Sequence, residues 1–251
     1  MMSEASANGD MKLMQFLIEN GFPMNADNIN NAMNEAAKSD QPESMGFILE
    51  NVSRVDEESS YEALSTSCYN GYLDCVKLLV ESGVDVNGGN GSYKADPLHS
   101  ASEAGQLDVM DYLFEHNVDV NVRNADAEVD TALTDAIIDG EFDSVKLLVE
   151  HGADLEARGG DNKETELITA SKWGSSHILE YLLEKGAKVN AQDNTGKTAL
   201  MYAAQCNEIE IVKVLLKYNA NVKTKDKKGQ TALDLAKQSL NENVVKLLEK
   251  K

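Results

Sequence analysis

The stretch Asp193–Lys223, DNTGKTALMYAAQCNEIEIVKVLLKYNANVK, decides how the chain is built. It divides into a turn, a short helix, a second turn, a second helix and an outgoing loop. In Ile209-Glu-Ile-Val-Lys-Val-Leu-Leu the apolar residues recur at helical spacing. The opening Thr198-Ala-Leu has counterparts at Thr131-Ala-Leu, Thr165-Glu-Leu and Thr231-Ala-Leu, and Asp96-Pro-Leu-His fills the same slot further back. Successive starts from Asp96 lie 35, 34, 33 and 33 residues apart. A period of that size marks a stack of supersecondary units, none of which can bury its apolar face alone.

The rest of the chain falls into the same register. Glu62 opens a further unit, and NAMNEAAKSDQPESMGFIL from Asn31 aligns with TALMYAAQCNEIEIVKVLL without a gap. Six of the seven start residues Asn31, Glu62, Asp96, Thr131, Thr165, Thr198 and Thr231 are of types whose short side chains cap a helix N-terminus. Nine residues after its start each unit breaks between helices, at Gly71, Gly105, Gly140, Gly174 or Asn207. Second helices are expected to end at Gly21, Gly83, Asn117, Gly152, Gly186 and Asn219, because Gly and Asn accept left-handed backbone. Val52 interrupts that series, so the second unit is expected to end differently. Residues 1–26 read as a half-unit lacking its opening turn, and the last unit reads as a C-terminal cap.

With its T-A-L and D-P-L-H openings, its glycine breaks and its Val-Asn exits (Val86-Asn87, Val120-Asn121, Val189-Asn190), the chain resembles the ankyrin-repeat family from end to end. The resemblance implies an all-α solenoid of stacked helix-turn-helix units with projecting hairpin-like loops. It divides the chain, as one domain, into approximate repeats 1–26, 27–57, 58–91, 92–126, 127–160, 161–193, 194–226 and 227–251. It also implies a binding function directed at another protein, through the loop tips and the first-helix face, and a turn-bracing role for His99.

Composition narrows the function. The net charge is −20, with 12 Lys against 7 acids in residues 188–251 and 11 basic against 36 acidic residues before them. Such a field repels nucleic acid and anionic membranes and steers basic partners inward. No segment approaches the ~20 apolar residues of a membrane span. The acidic start does not suit a signal peptide. Three cysteines, two of them (Cys68 and Cys75) in helix slots of small core residues, do not suit a disulfide scaffold. A reducing, cytoplasmic setting is expected. The histidines His99, His116, His151 and His177 read as structural, no catalytic or phosphate-binding motif appears, and Gly88–Gly91 has neither a preceding strand nor a phosphate-binding lysine. The expectation is a protein that is not an enzyme, holds no cofactor or metal, and is a monomer on its own. Lys223–Lys228 reads as a solvated basic loop without interleaved aromatics.

In the family, ligand contacts fall just before each start residue and at the end of the first helix. By that resemblance the candidate partner-binding residues are Glu58, Tyr61, Tyr69, Tyr93, Glu103, Glu128, Asp130, Ile138, Asp139, Asp161, Glu164 and Trp173. They describe an acidic face with aromatic anchors, the residue types that dominate interface energy. The alternative is that some of these aromatics tuck between units as core. The expected partner is a protein or peptide with a basic surface, and the expected role an inhibitor or immunity-type protein. Alternatives are an adaptor or host-directed scaffold and, in another class, a structural spacer or part of a larger enzyme assembly.

Overall fold

The computed structural model describes residues 1–51, 57–87, 96–123 and 131–250. Helices come in pairs: α1 (Met2–Ala7) with α2 (Met11–Glu19), α3 (Ala26–Lys38) with α4 (Pro42–Asn51), α5 (Glu57–Asn70) with α6 (Leu73–Glu81), and α7 (Pro97–Glu103) with α8 (Leu107–Glu115). They continue with α9 (Ala132–Asp139) and α10 (Phe142–Glu150), then β1 (Arg158–Gly159) and β2 (Glu164–Thr165), then α11 (Glu166–Lys172) and α12 (Ser176–Glu184). The last pairs are α13 (Ala199–Cys206) with α14 (Ile209–Lys217), and α15 (Ala232–Gln238) with α16 (Glu242–Leu248). The chain divides into two compact units, residues 1–126 and 127–251.

Within each unit, first helices pack on first helices and second helices on second helices. Small residues let the first helices approach: Ala36, Ala37, Ala63 and Ala101 in the N-terminal unit, and Ala136, Ala170, Ala203, Ala204 and Ala236 in the C-terminal one, are fully buried. Second helices supply bulk through Ile48, Leu79 and Leu113, and through Leu148, Leu182 and Leu215, also fully buried. Each such side chain contributes about 2 kcal/mol of apolar burial. That burial exists only because a neighbouring pair covers it.

The helix ends follow the sequence. Asp96, Thr131, Thr165, Thr198 and Thr231 are N-caps; all but Thr165 accept from the first turn, and Thr131 and Thr231 form capping boxes with Thr134 and Asp234. Glu166, the odd residue in Thr165-Glu-Leu, is buried, and its Oε1 accepts from Thr131 Oγ1 (3.1 Å) and Thr134 Oγ1 (2.9 Å) of the preceding repeat. The glycines and asparagines named as helix ends all have positive φ.

Three features differ from expectation. The first repeat is a full helix pair, because Met2–Ala7 forms a short first helix. Asn31 and Glu62 lie inside helices rather than at their starts. Asn25 caps α3 through Asn28 N, and α3 and α5 run 13 and 14 residues where later first helices run 7 or 8. In these two repeats helix replaces the turn before the start position. Among the described residues the one two-residue ladder is β1 with β2, Arg158 opposite Thr165 and Gly159 opposite Glu164, while Arg123 and Thr131 are single bridge residues. Val52 lies outside the described residues.

In the last repeat the break between helices falls on Leu240, with φ 60° and a side chain 84% exposed. Left-handed backbone costs a Cβ-bearing residue about 1–2 kcal/mol. Leu240→Gly should therefore raise the unfolding free energy by about 1 kcal/mol. Denaturant melts of the two proteins would check this, and a loss of stability would mean that the leucine makes a compensating contact.

Candidate functional site

In the N-terminal unit the long helix α5 places two of the expected anchors very differently. Tyr61 is 5% exposed, and its hydroxyl donates to Asp96 Oδ2 at 3.4 Å. Asp96 Oδ1 meanwhile accepts from Leu98 N at 2.9 Å to cap α7. Burial raises the Asp96 carboxyl above its ordinary pKa; the nearby His99, the amides of Leu98 and His99, and the Tyr61 hydroxyl offset this only in part. Burial, reinforced by Asp96, also pushes up the Tyr61 phenol. Tyr61 is thus a core residue between repeats and not an exposed anchor. The extra helical turns fold it inward. Tyr69, eight residues on, is half exposed, and its carbonyl accepts from Gln106 Nε2. Glu58 and Glu103 are exposed. Tyr93, Glu128 and Asp130 lie outside the described residues.

In the C-terminal unit, a pattern runs through the last three repeats. The residue before each start bonds the residue seven places after it: Glu164 with Lys172 (2.7 and 2.8 Å), Lys197 with Gln205 (2.8 Å) and Gln230 with Gln238 (3.2 Å). Glu164 is 6% exposed and also accepts from Asn162 Nδ2. This acid is consumed internally, where a free carboxylate was expected. The exposed groups are Trp173, 57% exposed at the C-cap of α11, with Asp139 and Asp161. Ile138 is half-buried beside Asp139, whose carboxyl is raised by partial burial and then by Asp135.

A second network lies next to this one and was missed in the sequence. Tyr202 donates to Asp193 Oδ2 at 2.7 Å, while the Lys172 and Lys197 ammonium groups stand 5.6 and 4.9 Å from its ring centroid. Asp193 Oδ1 accepts from Thr195 N and Oγ1, both 2.7 Å, and from Lys197 N at 2.9 Å. Burial raises the Asp193 carboxyl, but the hydrogen bonds from Tyr202, Thr195 and Lys197 outweigh it and hold the pKa below the ordinary value. The signal available was the recurrence of Asp193-Asn-Thr-Gly196 as Asp226-Lys-Lys-Gly229, 33 residues on. Asp226 builds the same loop, accepting from Lys228 N and Gln230 N. Neighbouring loops are tied together by Asn194 N to Asn162 O (2.8 Å) and Lys227 N to Thr195 O (2.9 Å). A Cβ at Gly196 would lie 2.9 Å from Lys227 N, so this loop contact needs glycine.

The model for ankyrin repeats (3 copies) matches residues 34–124, 123–193 and 167–251. The chain belongs to the ankyrin-repeat family, whose repeats mediate protein–protein interaction. Among solved structures it is similar to a chain of the complex described as the Bd0816 predatory endopeptidase from Bdellovibrio bacteriovorus with immunity protein Bd3460. The two are 31% identical with a TM-score of 0.68, over 75% of this chain and 97% of that one. No curated protein matches the sequence. Among the described residues no helix is long and apolar enough to cross a membrane, and no three His, Cys, Asp or Glu side chains are grouped to hold a metal ion.

The two buried aspartates predict opposite responses to substitution. Asp193 has a depressed folded pKa, so its stabilisation is present at neutral pH and is lost as pH falls through that value. Asp193→Asn should cost about 2 kcal/mol at pH 7, the usual scale for hydrogen bonds to a charged acceptor, and progressively less in acid. Asp96 has a raised folded pKa, so its contribution is greatest below the unfolded pKa and declines as pH rises through the folded value. Asp96→Asn should therefore be neutral or stabilising at pH 7. Urea melts from pH 3 to 7 would show whether the two variants diverge in this way.

Proposed function

We propose that the chain is an inhibitor or immunity-type protein that binds and occludes an enzyme with a basic surface, a peptidase being the favoured class. The observation that carries this is the 31% identity, over 75% of this chain and 97% of the other, to the chain from the endopeptidase–immunity protein complex. Charge agrees with it. Residues 1–126 hold 6 Lys and Arg against 22 Asp and Glu, a net of −16. A field of that sign speeds encounter with a basic partner and sets the orientation of approach.

The anchors proposed are the exposed aromatics, Tyr69 on the N-terminal unit and Trp173 on the C-terminal one. Glu58 and Glu103 supply charge around the first, and Asp139 and Asp161 around the second. Glu164 acts indirectly: it pins Lys172 next to Trp173, and so presents a neutral, apolar contact within an acidic surround. Tyr61 supports α5 from within.

Capture from native lysate at low salt, followed by peptidase assays on whatever elutes at high salt, tests the role. A captured peptidase should be inactive in the complex and should regain activity on release. A captured enzyme that stays fully active while bound would make the chain an adaptor. Tyr69→Ala combined with Trp173→Ala should weaken capture by at least about tenfold, since exposed aromatic anchors carry a large share of interface energy. The melting temperature should not move, because both side chains are solvent-facing. Unchanged affinity in this variant would mean that the face is misassigned. Association should also slow steeply between low and physiological salt, where the screening length shortens to about 8 Å.

A further inference from the structure

Junctions between successive repeats within each unit draw on a shared set of positions. These are counted here from each start residue; the first repeat, with Gly9 in ninth place, takes its own residue numbers. Position 16 leans on the preceding repeat. Tyr181 meets Phe142, position 11 of the repeat before, at 5.6 Å between ring centroids, and Leu78 lies 3.7 Å from where a Cβ would stand at Gly46, position 15. Position 12 does the same, His177 meeting Phe142 at 5.0 Å. Position 19 reaches back to position 15, with Lys217 Nζ 2.7 Å from Glu180 Oε1.

In the first repeat these positions are Lys12, Phe16 and Glu19, and all three are exposed. Phe16 is 58% exposed, whereas position 16 of every later repeat is half-buried. Glu19 accepts a hydrogen bond from Gln15 of its own helix. In the last repeat the receiving positions 11 and 15 are Glu242 and Lys246, exposed and 3.9 Å apart. They border a concavity that Leu240 and Val245 also line.

We propose that the first repeat of one copy of this chain stacks head to tail on the last repeat of a second copy. Phe16 enters the concavity, Lys12 lies beside Glu242, and Glu19 lies beside Lys246. The pairing keeps an apolar group at position 16, repeats at 19 with 15 the opposite charges of Lys217 and Glu180, and sets a further opposite pair, Lys12 with Glu242, where the internal His177–Phe142 contact is aromatic.

A fourth position fits as well. Position 10 of one repeat normally covers position 9 of the repeat before; a Cβ at Gly71 would collide with the Gln106 carboxamide, and one at Gly9 with that of Gln41. Leu240 occupies position 9 of the last repeat and would obstruct a residue reaching back in that way. Asp10 does not reach back. Its carboxylate accepts from Leu13 N at 3.0 Å and so stays on its own helix, whereas the residues that precede α6, α8, α10, α12, α14 and α16 make no such cap. Asp10 therefore leaves room for Leu240.

Charge selects head-to-tail over a symmetric contact. Residues 188–251 carry a net of +5 and residues 1–126 a net of −16. Joining two first repeats would bring like fields together, while joining first to last brings opposite ones together. Such a heterologous contact does not close on itself unless its rotation makes a ring. The expectation of a monomer then holds only in dilute solution.

Sedimentation velocity of the whole chain across a concentration series, at low and high salt, tests the proposal. The wild-type chain should show species growing with concentration and retreating as salt rises. Phe16→Asp and Lys246→Glu, each at an exposed position and expected to melt like wild type, should each weaken self-association by at least about tenfold. Each variant retains one good face, so an equimolar mixture should recover a one-to-one complex that grows no further. A wild-type chain that stays monomeric at every concentration would overturn the proposal. Association that survives either variant would also overturn it, as would a mixture that stays monomeric.

Discussion

Everything in this molecule depends on apolar surface that a helix pair cannot cover for itself. A first helix of seven or eight residues, such as α9 or α11, is too short to persist alone. It exists because alanines on one side admit the next first helix and leucines from the second helices close the space behind. Sequence repetition is the direct outcome of that dependence: each pair must present to its successor what its predecessor presented to it. The buried Glu166 shows how far the register can be varied. A carboxylate enters the core there because two threonine hydroxyls of the preceding repeat stand at hydrogen-bonding distance.

The fold was legible because its punctuation is local chemistry. Caps at Asp96, Thr131, Thr198 and Thr231 and left-handed ends at Gly83, Asn117 and Asn219 depend on single residue types at fixed offsets. The starts at Asn31 and Glu62 were misread for the opposite reason. Ala26–Asn30 and Glu57–Tyr61 contain neither glycine nor proline, so nothing stops the helix from extending backward. That extension carried Tyr61 into the core. The exposed face was less legible, because exposure depends on pairings between residues eight or nine apart in different elements. Glu164 looks like any surface acid until Lys172 is seen above it, and Tyr202 looks like core until Asp193 is seen at its hydroxyl.

The charge is also arranged in two ways. In the C-terminal unit much of it is answered locally: Lys172 by Glu164, Lys217 by Glu180, Lys213 by Glu210 and Lys237 by Glu249. Exposed pairs of this kind contribute little to stability, but they flatten the local field. In the N-terminal unit acids outnumber bases by more than three to one, so most cannot be answered from within. In the proposed mode of binding, long-range attraction and short-range anchoring thus have separate sources, with excess acid for the first and exposed aromatics for the second.

For the proposed peptidase-inhibiting role, the backward extension of α3 and α5 has a consequence. Peptide-bond hydrolysis needs backbone that can be drawn out into an extended strand within the enzyme's cleft, and exposed loops are where nicking concentrates. At Ala26–Asn30 and Glu57–Tyr61 the backbone is already committed to helical hydrogen bonds, with Ser59, Ser60 and Tyr61 buried. An edge built in this way can be pressed against a hydrolytic site without becoming its substrate. Replacing a turn with helix removes the conformation that cleavage requires.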